Sequence, residues 1–171
     1  MIQNAGHPNI ENAATPDALW YVSTDTEEVV RVDAATNKIA ANIRVGTVPQ
    51  TVFVGAGSVW VGDASGAPVS RLDPRTNKVI ASIKTDGYPG NRRPAVDDCA
   101  CRYAVGYGSV WVIANSTTLL RIDPVTNRPV ASLTFATRVG SIGLSDGSIW
   151  VGSDGGNPAY TIYRVNPQAM R

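Results

Sequence analysis

Four acidic or amide side chains recur at one position of an internal repeat, and their chemistry suits a hard cation. They follow a short apolar strand in each of four copies: Asp25, Asp63, Asn115 and Asp154. Carboxylate and carbonyl oxygens are the ligands that Ca²⁺ and Mg²⁺ prefer. Short Asp and Asn side chains also cap strand ends and turns by accepting backbone hydrogen bonds. The sequence leaves both interpretations open and does not identify a metal.

The segment 87–102 is the largest irregularity of the repeat, and it separates the second copy from the third. Arg92 and Arg93 could pair with an anionic ligand or with a carboxylate of a partner. Asp97 and Asp98 could equally pair with those arginines and fold the loop on itself. Specific functions are often added to regular repeats by such insertions. Ligand-binding residues are therefore predicted at these positions: Asp63, Arg92, Arg93, Asp97, Asp98, Asn115 and Asp154.

The cysteines and the histidine give little support to catalysis. Cys99 and Cys101 are separated by one residue, and three interpretations stay open: buried free thiols, a strained disulfide, or a metal or redox site. The last of these needs further ligands, and His7 is far away in the sequence. Neither a serine-nucleophile motif nor a phosphate-binding loop is present. We expect a binding module rather than an enzyme, with no cofactor apart from the divalent cation considered above.

The elements that must position these side chains are short strands marked by a recurring tryptophan. The four copies are centred on Trp20, Trp60, Trp111 and Trp150. Their spacing is that of stacked β-units of about 40 residues. Alternation along each strand places the tryptophan on the opposite face from its valine neighbours. We therefore predict a structural role for all four, in packing between neighbouring units.

A second landmark follows each tryptophan in the same phase. It begins with an arginine in every copy: Arg31, Arg71, Arg121 and Arg164. We expect these arginines to lie on the surface or to brace a neighbouring loop. In the second copy the motif continues to Asp73-Pro74 and Thr76-Asn77, where Pro presets φ and Asn tolerates left-handed backbone. Each copy is predicted to form four short antiparallel strands, so the fold class is all-β: a β-propeller with four blades per chain.

The motifs Gly108-Ser109-Val110-Trp111-Val112, Arg121-Ile122-Asp123-Pro124 and Thr126-Asn127-Arg128 resemble the YVTN-type β-propeller repeat. This family is related to the NHL-repeat propellers and to the streptogramin lyases, and the resemblance covers nearly the whole chain. It implies a bacterial or archaeal protein that is secreted or periplasmic, with about seven blades in complete members. It also raises an alternative function, that of a lyase-like, Mg²⁺-dependent enzyme. No position matches the catalytic histidine of those lyases, since His7 stands in the N-terminal segment.

We expect a single domain over residues 1–171, with blades at about 6–45, 46–85, 102–136 and 137–171. The last copy stops after its third strand, at Asn166-Pro167. Met1 to Ala5 could supply the missing outer strand, in the same chain or in a second one. Three arrangements stay open: an eight-bladed ring closed by two chains, a four-bladed monomer, and a fragment of a longer propeller. We expect the homodimer, and a purely structural assembly role is a further alternative.

Composition restricts the partners. The 171 residues carry a formal net charge of +1, so electrostatics give no reason to expect nucleic acid. No apolar run approaches the roughly 20 residues that a membrane-spanning helix needs. Met1-Ile2-Gln3-Asn4 lacks the basic and apolar stretches of a signal peptide, so a cytosolic protein or a mature form is expected. The expected partner is a protein, a peptide or a glycan.

Overall fold

Four antiparallel sheets follow one another along the chain in the computed structural model. The structure describes residues 8–23, 25–46, 48–63, 68–85, 102–153 and 160–170, and their side chains from residue 12 onward. We call the sheets blades 1 to 4 and number their strands in chain order. This architecture confirms the predicted all-β fold of four blades per chain.

Three blades have four strands in sequence order, and blade 4 has three among the described residues. Blade 1 contains β1 (Pro8–Thr15), β2 (Ala18–Ser23), β3 (Glu28–Asp33) and β4 (Lys38–Ile43). Blade 2 contains β5 (Pro49–Gly55), β6 (Ser58–Asp63), β7 (Val69–Asp73) and β8 (Lys78–Ile83). Blade 3 contains β9 (Tyr103–Gly106), β10 (Ser109–Ala114), β11 (Thr118–Asp123) and β12 (Arg128–Thr134). Blade 4 contains β13 (Val139–Ser145), β14 (Ser148–Ser153) and β15 (Ile162–Val165).

Blade 4 has no described fourth strand, and its third strand is followed by a short helix. The fourth strand of blade 4, predicted from Met1 to Ala5, lies outside the described residues. The 3₁₀ helix Pro167–Ala169 follows β15. Nothing in the described ranges is a helix long and apolar enough to span a membrane.

One edge of each blade is formed by tight turns whose geometry is encoded locally. In blades 2 to 4 the hairpin between the first two strands has positive φ at both central residues: Ala56-Gly57, Tyr107-Gly108 and Asp146-Gly147. Two left-handed residues make a type I′ turn, whose twist matches that of the strands. We call this the bottom edge. The top edge carries the loops between second and third strands and the connections between blades.

The other bottom turn joins the third strand to the fourth and repeats in blades 1 to 3. In blade 3 the carboxylate of Asp123 accepts from the amide of Val125 at 2.7 Å and from the hydroxyl of Thr126 at 3.0 Å. These hydrogen bonds hold the pKa of Asp123 below its usual range, and the bond from the Val125 amide has the largest effect. The amide of Asn127 donates to the carbonyl of Asp123 at 2.9 Å, with φ 57° at Asn127. Asn tolerates this left-handed conformation, which explains why the motif ends in Asn.

The core lies between consecutive blades. Trp20 of blade 1 belongs to one apolar cluster with Val52 and Val61 of blade 2. Trp60 and Trp111 occupy the corresponding places in the next two interfaces. All three indoles are fully buried. Each removes about 200 Å² from water, which stabilises the interface by roughly 5 kcal/mol before entropy is counted.

Two glycines set how closely neighbouring blades approach. Gly55 and Gly106 end the innermost strands of blades 2 and 3. A Cβ added at Gly55 would lie 2.4 Å from Val105, and one at Gly106 would lie 2.5 Å from Leu144. Real Cβ atoms do not approach other atoms so closely, so a larger residue would force the blades apart.

Candidate functional site

Each blade carries a tryptophan–arginine pair near its bottom edge. The indole N–H of Trp60 donates to the carbonyl of Gly55 at 3.0 Å, and that of Trp111 donates to Gly106 at the same distance. In all four blades the arginine Cζ lies 5.1 to 5.9 Å from the centroid of the indole. Such cation–π contacts hold the guanidinium over the ring and contribute about 0.5–2 kcal/mol.

A serine at the start of the strand that carries the tryptophan fixes the arginine. In blades 2 to 4 its Oγ accepts from the arginine Nε at 2.8 Å, in the pairs Ser58–Arg71, Ser109–Arg121 and Ser148–Arg164. The three serines are almost wholly buried. Sequence reasoning assigned them no role, although serine at one place in three copies was a signal that could have found them. We call the Trp, Arg and Ser of one blade its clamp.

Two clamps continue into the next blade. Nη1 of Arg71 donates to Oδ1 of Asn127 at 2.8 Å and also to the carbonyl of Pro124, both in the bottom turn of blade 3. Nη1 of Arg121 donates to the carbonyl of Met170 at 2.6 Å, just after blade 4. The expectation that these arginines brace a neighbouring segment is confirmed at these two positions. Charge-assisted bonds of this kind are about twice as strong as neutral ones.

Blade 1 departs from this pattern because Ala18 stands where the other blades have serine. Nε of Arg31 is buried without a hydrogen-bond partner, and Nη2 donates to Asp17 at 2.7 Å. In blade 2, Oδ1 of Asn77 is buried without a partner, although Asn77 is the counterpart of Asn127. Arg31 therefore bonds to its own hairpin instead of to the next blade.

The face of blade 4 that carries the clamp is covered by no other described blade. Trp150 is 38% exposed, whereas the other three tryptophans are fully buried. Ile162 and Tyr160 are 70% and 83% exposed, and with Trp150 they line a groove of about 480 Å³. Arg164 keeps its bond to Ser148, and its guanidinium makes no other hydrogen bond within the described ranges. We call the surface of Trp150, Tyr160, Ile162 and Arg164 the open face.

Asp63 and Asn115 lie at the top edge. Asp63 is the last residue of β6 rather than part of the following loop, and it is 8% exposed. Asn115 begins the β10–β11 turn at φ 41°, and its Oδ1 accepts from the amide and the hydroxyl of Thr117 at 3.4 and 3.2 Å. This is the capping role that the sequence left open. Where the structure describes the chain, no three His, Cys, Asp or Glu side chains converge as a metal site would require.

Most of the other predicted site residues lie outside the described residues. Asp25 is exposed in the β2–β3 loop of blade 1. Outside the described residues lie Arg92, Arg93, Asp97, Asp98 and Asp154, together with His7, Cys99 and Cys101. The segment that holds the first four joins the end of β8 to the start of β9, and both of these ends belong to the top edge.

The two edges differ in regularity. At the bottom, Asn37, Asn77 and Asn127 close turns of equal length, with φ between 54° and 57°. At the top, the loops between second and third strands span residues 24–27, 64–68, 115–117 and 154–161. The connections between blades span residues 44–48, 84–102 and 135–138. The scaffold is thus constant at the bottom and variable at the top.

Solved structures superimpose on this arrangement over almost the whole chain. BamB from Moraxella catarrhalis matches with a TM-score of 0.73 over 98% of the chain, at 14% identity. Hydrazine synthase from Kuenenia stuttgartiensis matches with a TM-score of 0.72 over 95% of the chain, also at 14% identity. Both contain β-propellers. This chain is a β-propeller.

The propeller spans about half the length of those two proteins, 49% of BamB and 52% of hydrazine synthase. The computationally designed Ika4 protein matches with a TM-score of 0.70 at 14% identity, over 96% of both chains. No protein-family model matches the sequence, and no curated protein matches it. At such low identity the structural likeness establishes the fold alone, because unrelated functions share this architecture.

Proposed function

We propose that this propeller is a non-enzymatic binding module that holds a partner at its top edge. The observation that supports the proposal is the contrast between the two edges. The bottom turns repeat from blade to blade, whereas the top loops and connections differ in length. Rigid scaffolds commonly carry recognition on variable loops of one side.

The proposed contact residues combine both signs of charge with hydrogen-bonding groups. They are Asp63, Arg92, Arg93, Asp97, Asp98, Asn115 and Asp154. Arginine forks suit carboxylates, and carboxylates accept from amines, amides and hydroxyls. A protein, a peptide or a glycan offers these groups. The net charge of +1 does not favour nucleic acid.

The test is to screen the labelled chain on a glycan array and a displayed peptide library, and to titrate the hits. The variants Arg92→Ala/Arg93→Ala and Asp97→Ala/Asp98→Ala change the segment attached to the top edge. Arg75→Ala/Arg128→Ala removes two exposed cations from the bottom edge and is the matched control. At least tenfold weaker binding is expected of the top variants only. Equal losses in the top and bottom variants would contradict a top-edge site.

We also propose the finer assignment to the YVTN-type repeat, acting as a homodimer. The residues that carry the resemblance have coherent roles in the fold. Ser58 holds Arg71, and Asp73 and Asn77 form the bottom turn. A homodimer would cover apolar surface that the isolated chain exposes at Trp150.

A further inference from the structure

We infer that the open face of blade 4 is the docking site for blade 1 of a second copy of this chain. Two copies then close one ring. The inference rests on the homodimer proposed above and adds the residues that make the contact. It does not involve the top edge, so it can fail while the binding proposal stands.

The donor half of the contact is already assembled on blade 4. In blades 2 and 3 the arginine of the clamp reaches a backbone carbonyl beyond its own blade. Arg164 is held in the same way, with Cζ 5.6 Å from the Trp150 centroid and Nε bonded to Ser148. Among the described residues its terminal nitrogens have no acceptor, although the guanidinium is held in the clamp geometry.

The matching acceptor lies on blade 1. The turn 33–37 repeats the turn that receives Arg71 in blade 3. The Asp33 carboxylate accepts from the amide of Thr36 at 2.8 Å, and Asn37 has φ 54°, close to the 57° of Asn127. By register, the carbonyl of Ala34 and Oδ1 of Asn37 correspond to the two acceptors of Arg71. Both residues are exposed, and no described blade precedes blade 1.

Side-chain size at the inner strands agrees with this pairing. In the interface of blades 2 and 3, Gly55 faces Val105, and in that of blades 3 and 4, Gly106 faces Leu144. Across the inferred contact, the equivalent positions are Ser145 on blade 4 and Ala14 on blade 1. The larger residue on one side is thus offset by a smaller one on the other. Ala14 is exposed.

The inferred contact is head to tail, because the clamps of blades 2 and 3 both bond to a later segment in chain order. Two such contacts related by a two-fold axis close a ring, whereas an unclosed series would form a filament. Tyr21, Val30 and Val32 on the same side of blade 1 form a separate cluster and are already buried. The exposed parts of the inferred contact are the open face of blade 4 and, on blade 1, Ala14 and the turn 33–37.

The experiment measures the mass of the full chain by light scattering after size exclusion, without any ligand. The wild type is expected at twice the 18.1 kDa of one chain. Ile162→Asp would bury an unpaired carboxylate in the contact. The dissociation constant of the dimer should therefore rise by roughly a hundredfold or more. Val125→Asp is the matched control, because Val125 is 85% exposed in the bottom turn of blade 3. It should remain a dimer.

Mixing two variants tests the head-to-tail direction. Asn37→Arg would set a cation against Arg164, so this variant and Ile162→Asp should each be monomeric, with unchanged circular dichroism. Their mixture retains one unaltered contact, between blade 4 of the first and blade 1 of the second. It should recover the double mass where neither variant alone does. A wild-type monomer, a dimeric Ile162→Asp variant, a species above two chains, or a mixture without recovery would each overturn the inference.

Discussion

Nε of Arg71 donates to Oγ of Ser58 at 2.8 Å, and blade 1 lacks the equivalent bond because Ala18 replaces the serine. Arg31 differs from Arg71 in two contacts. Nε of Arg31 is buried unpaired, and the guanidinium bonds to Asp17 in its own hairpin. Blade 1 thus differs beside its arginine at two positions, because Ala18 replaces the serine and Asp17, which accepts from the guanidinium, replaces the glycine before it.

Restoring that hydroxyl should stabilise the protein. Ala18→Ser places an acceptor beside Nε of Arg31, and serine fits, since Ala18 and Ser58 are equally buried at 2% and 3% exposure. Pairing a buried donor contributes about 1 kcal/mol to the free energy of unfolding, measured by urea titration. Ala40→Ser on the exposed face of β4 is the control and should have no effect. An unchanged midpoint for Ala18→Ser would show that the missing serine does not cause the altered clamp.

A comparison of two asparagines measures the contribution of the hydrogen bond between blades apart from that of the turn, because their backbone conformations are equal. Asn77 and Asn127 both have φ 57°, but only Oδ1 of Asn127 accepts from an arginine. Alanine at either position carries the same left-handed strain. Asn127→Ala should lower the free energy of unfolding by about 1.5–3 kcal/mol more than Asn77→Ala does, since it removes a bond to a charged donor. Equal losses in urea unfolding would mean that the bond between blades contributes nothing.

The close approach of blades predicts a steric penalty. Gly55→Ala adds a Cβ that would lie 2.4 Å from Val105, so about 1–3 kcal/mol of stability should be lost. Gly143→Ala is the matched control, because its nearest neighbour would be Trp150 Cβ at 4.0 Å. Thermal unfolding should show a lower midpoint for the first variant only. Similar midpoints would indicate that the blades yield at this position.

The bottom turns predict acid sensitivity. Hydrogen bonds hold the pKa values of Asp33, Asp73 and Asp123 below their usual range, chiefly those donated by the Thr36 hydroxyl and by the amides of Arg75 and Val125. A group whose pKa falls on folding stabilises the protein above its unfolded pKa, and this contribution is lost as pH falls through the folded value. Stability should therefore decline below about pH 4. Urea midpoints from pH 7 to pH 2 check this.

The matched variant for that prediction changes all three carboxyls to amides, as Asp33→Asn/Asp73→Asn/Asp123→Asn. Amide oxygens still accept the turn hydrogen bonds but do not titrate in this range. The variant should lose less stability than the wild type between pH 4 and pH 2. Parallel curves for the two proteins would assign the acid sensitivity to other groups.

Much of the fold was predictable because its signals are local. Asp73, Thr76 and Asn77 specify a turn by their own hydrogen bonds and backbone preference, and Trp60 marks a strand by alternation. Strand β1 also forms, although Asn12 stands where the other blades have Val52, Tyr103 and Ile142. In a repeat, register is reinforced by every copy, so one weak strand is tolerated.

The exposure of Trp150 and the diversion of Arg31 were not predictable, because both depend on contacts between blades. Trp150 has almost the same local sequence as Trp60, with Ile149 in place of Val59, and the absence of a covering blade among the described residues distinguishes it. The position of Asp63 was predicted less accurately, since the sequence placed it after the strand whereas it is the last residue of β6. The role predicted for Arg92, Arg93, Asp97 and Asp98 stays a prediction.

The glycines that end the inner strands have a consequence for ring size. Since Gly55 and Gly106 let inner strands approach more closely than side chains would allow, the interfaces that blade 3 makes with blades 2 and 4 are narrower on the inside and act as wedges. The wedge angles must add up to a full turn for a ring to close. The volume of one side chain at the end of an inner strand therefore affects the curvature of the array of blades. Through this curvature it affects the number of blades that a closed ring can hold.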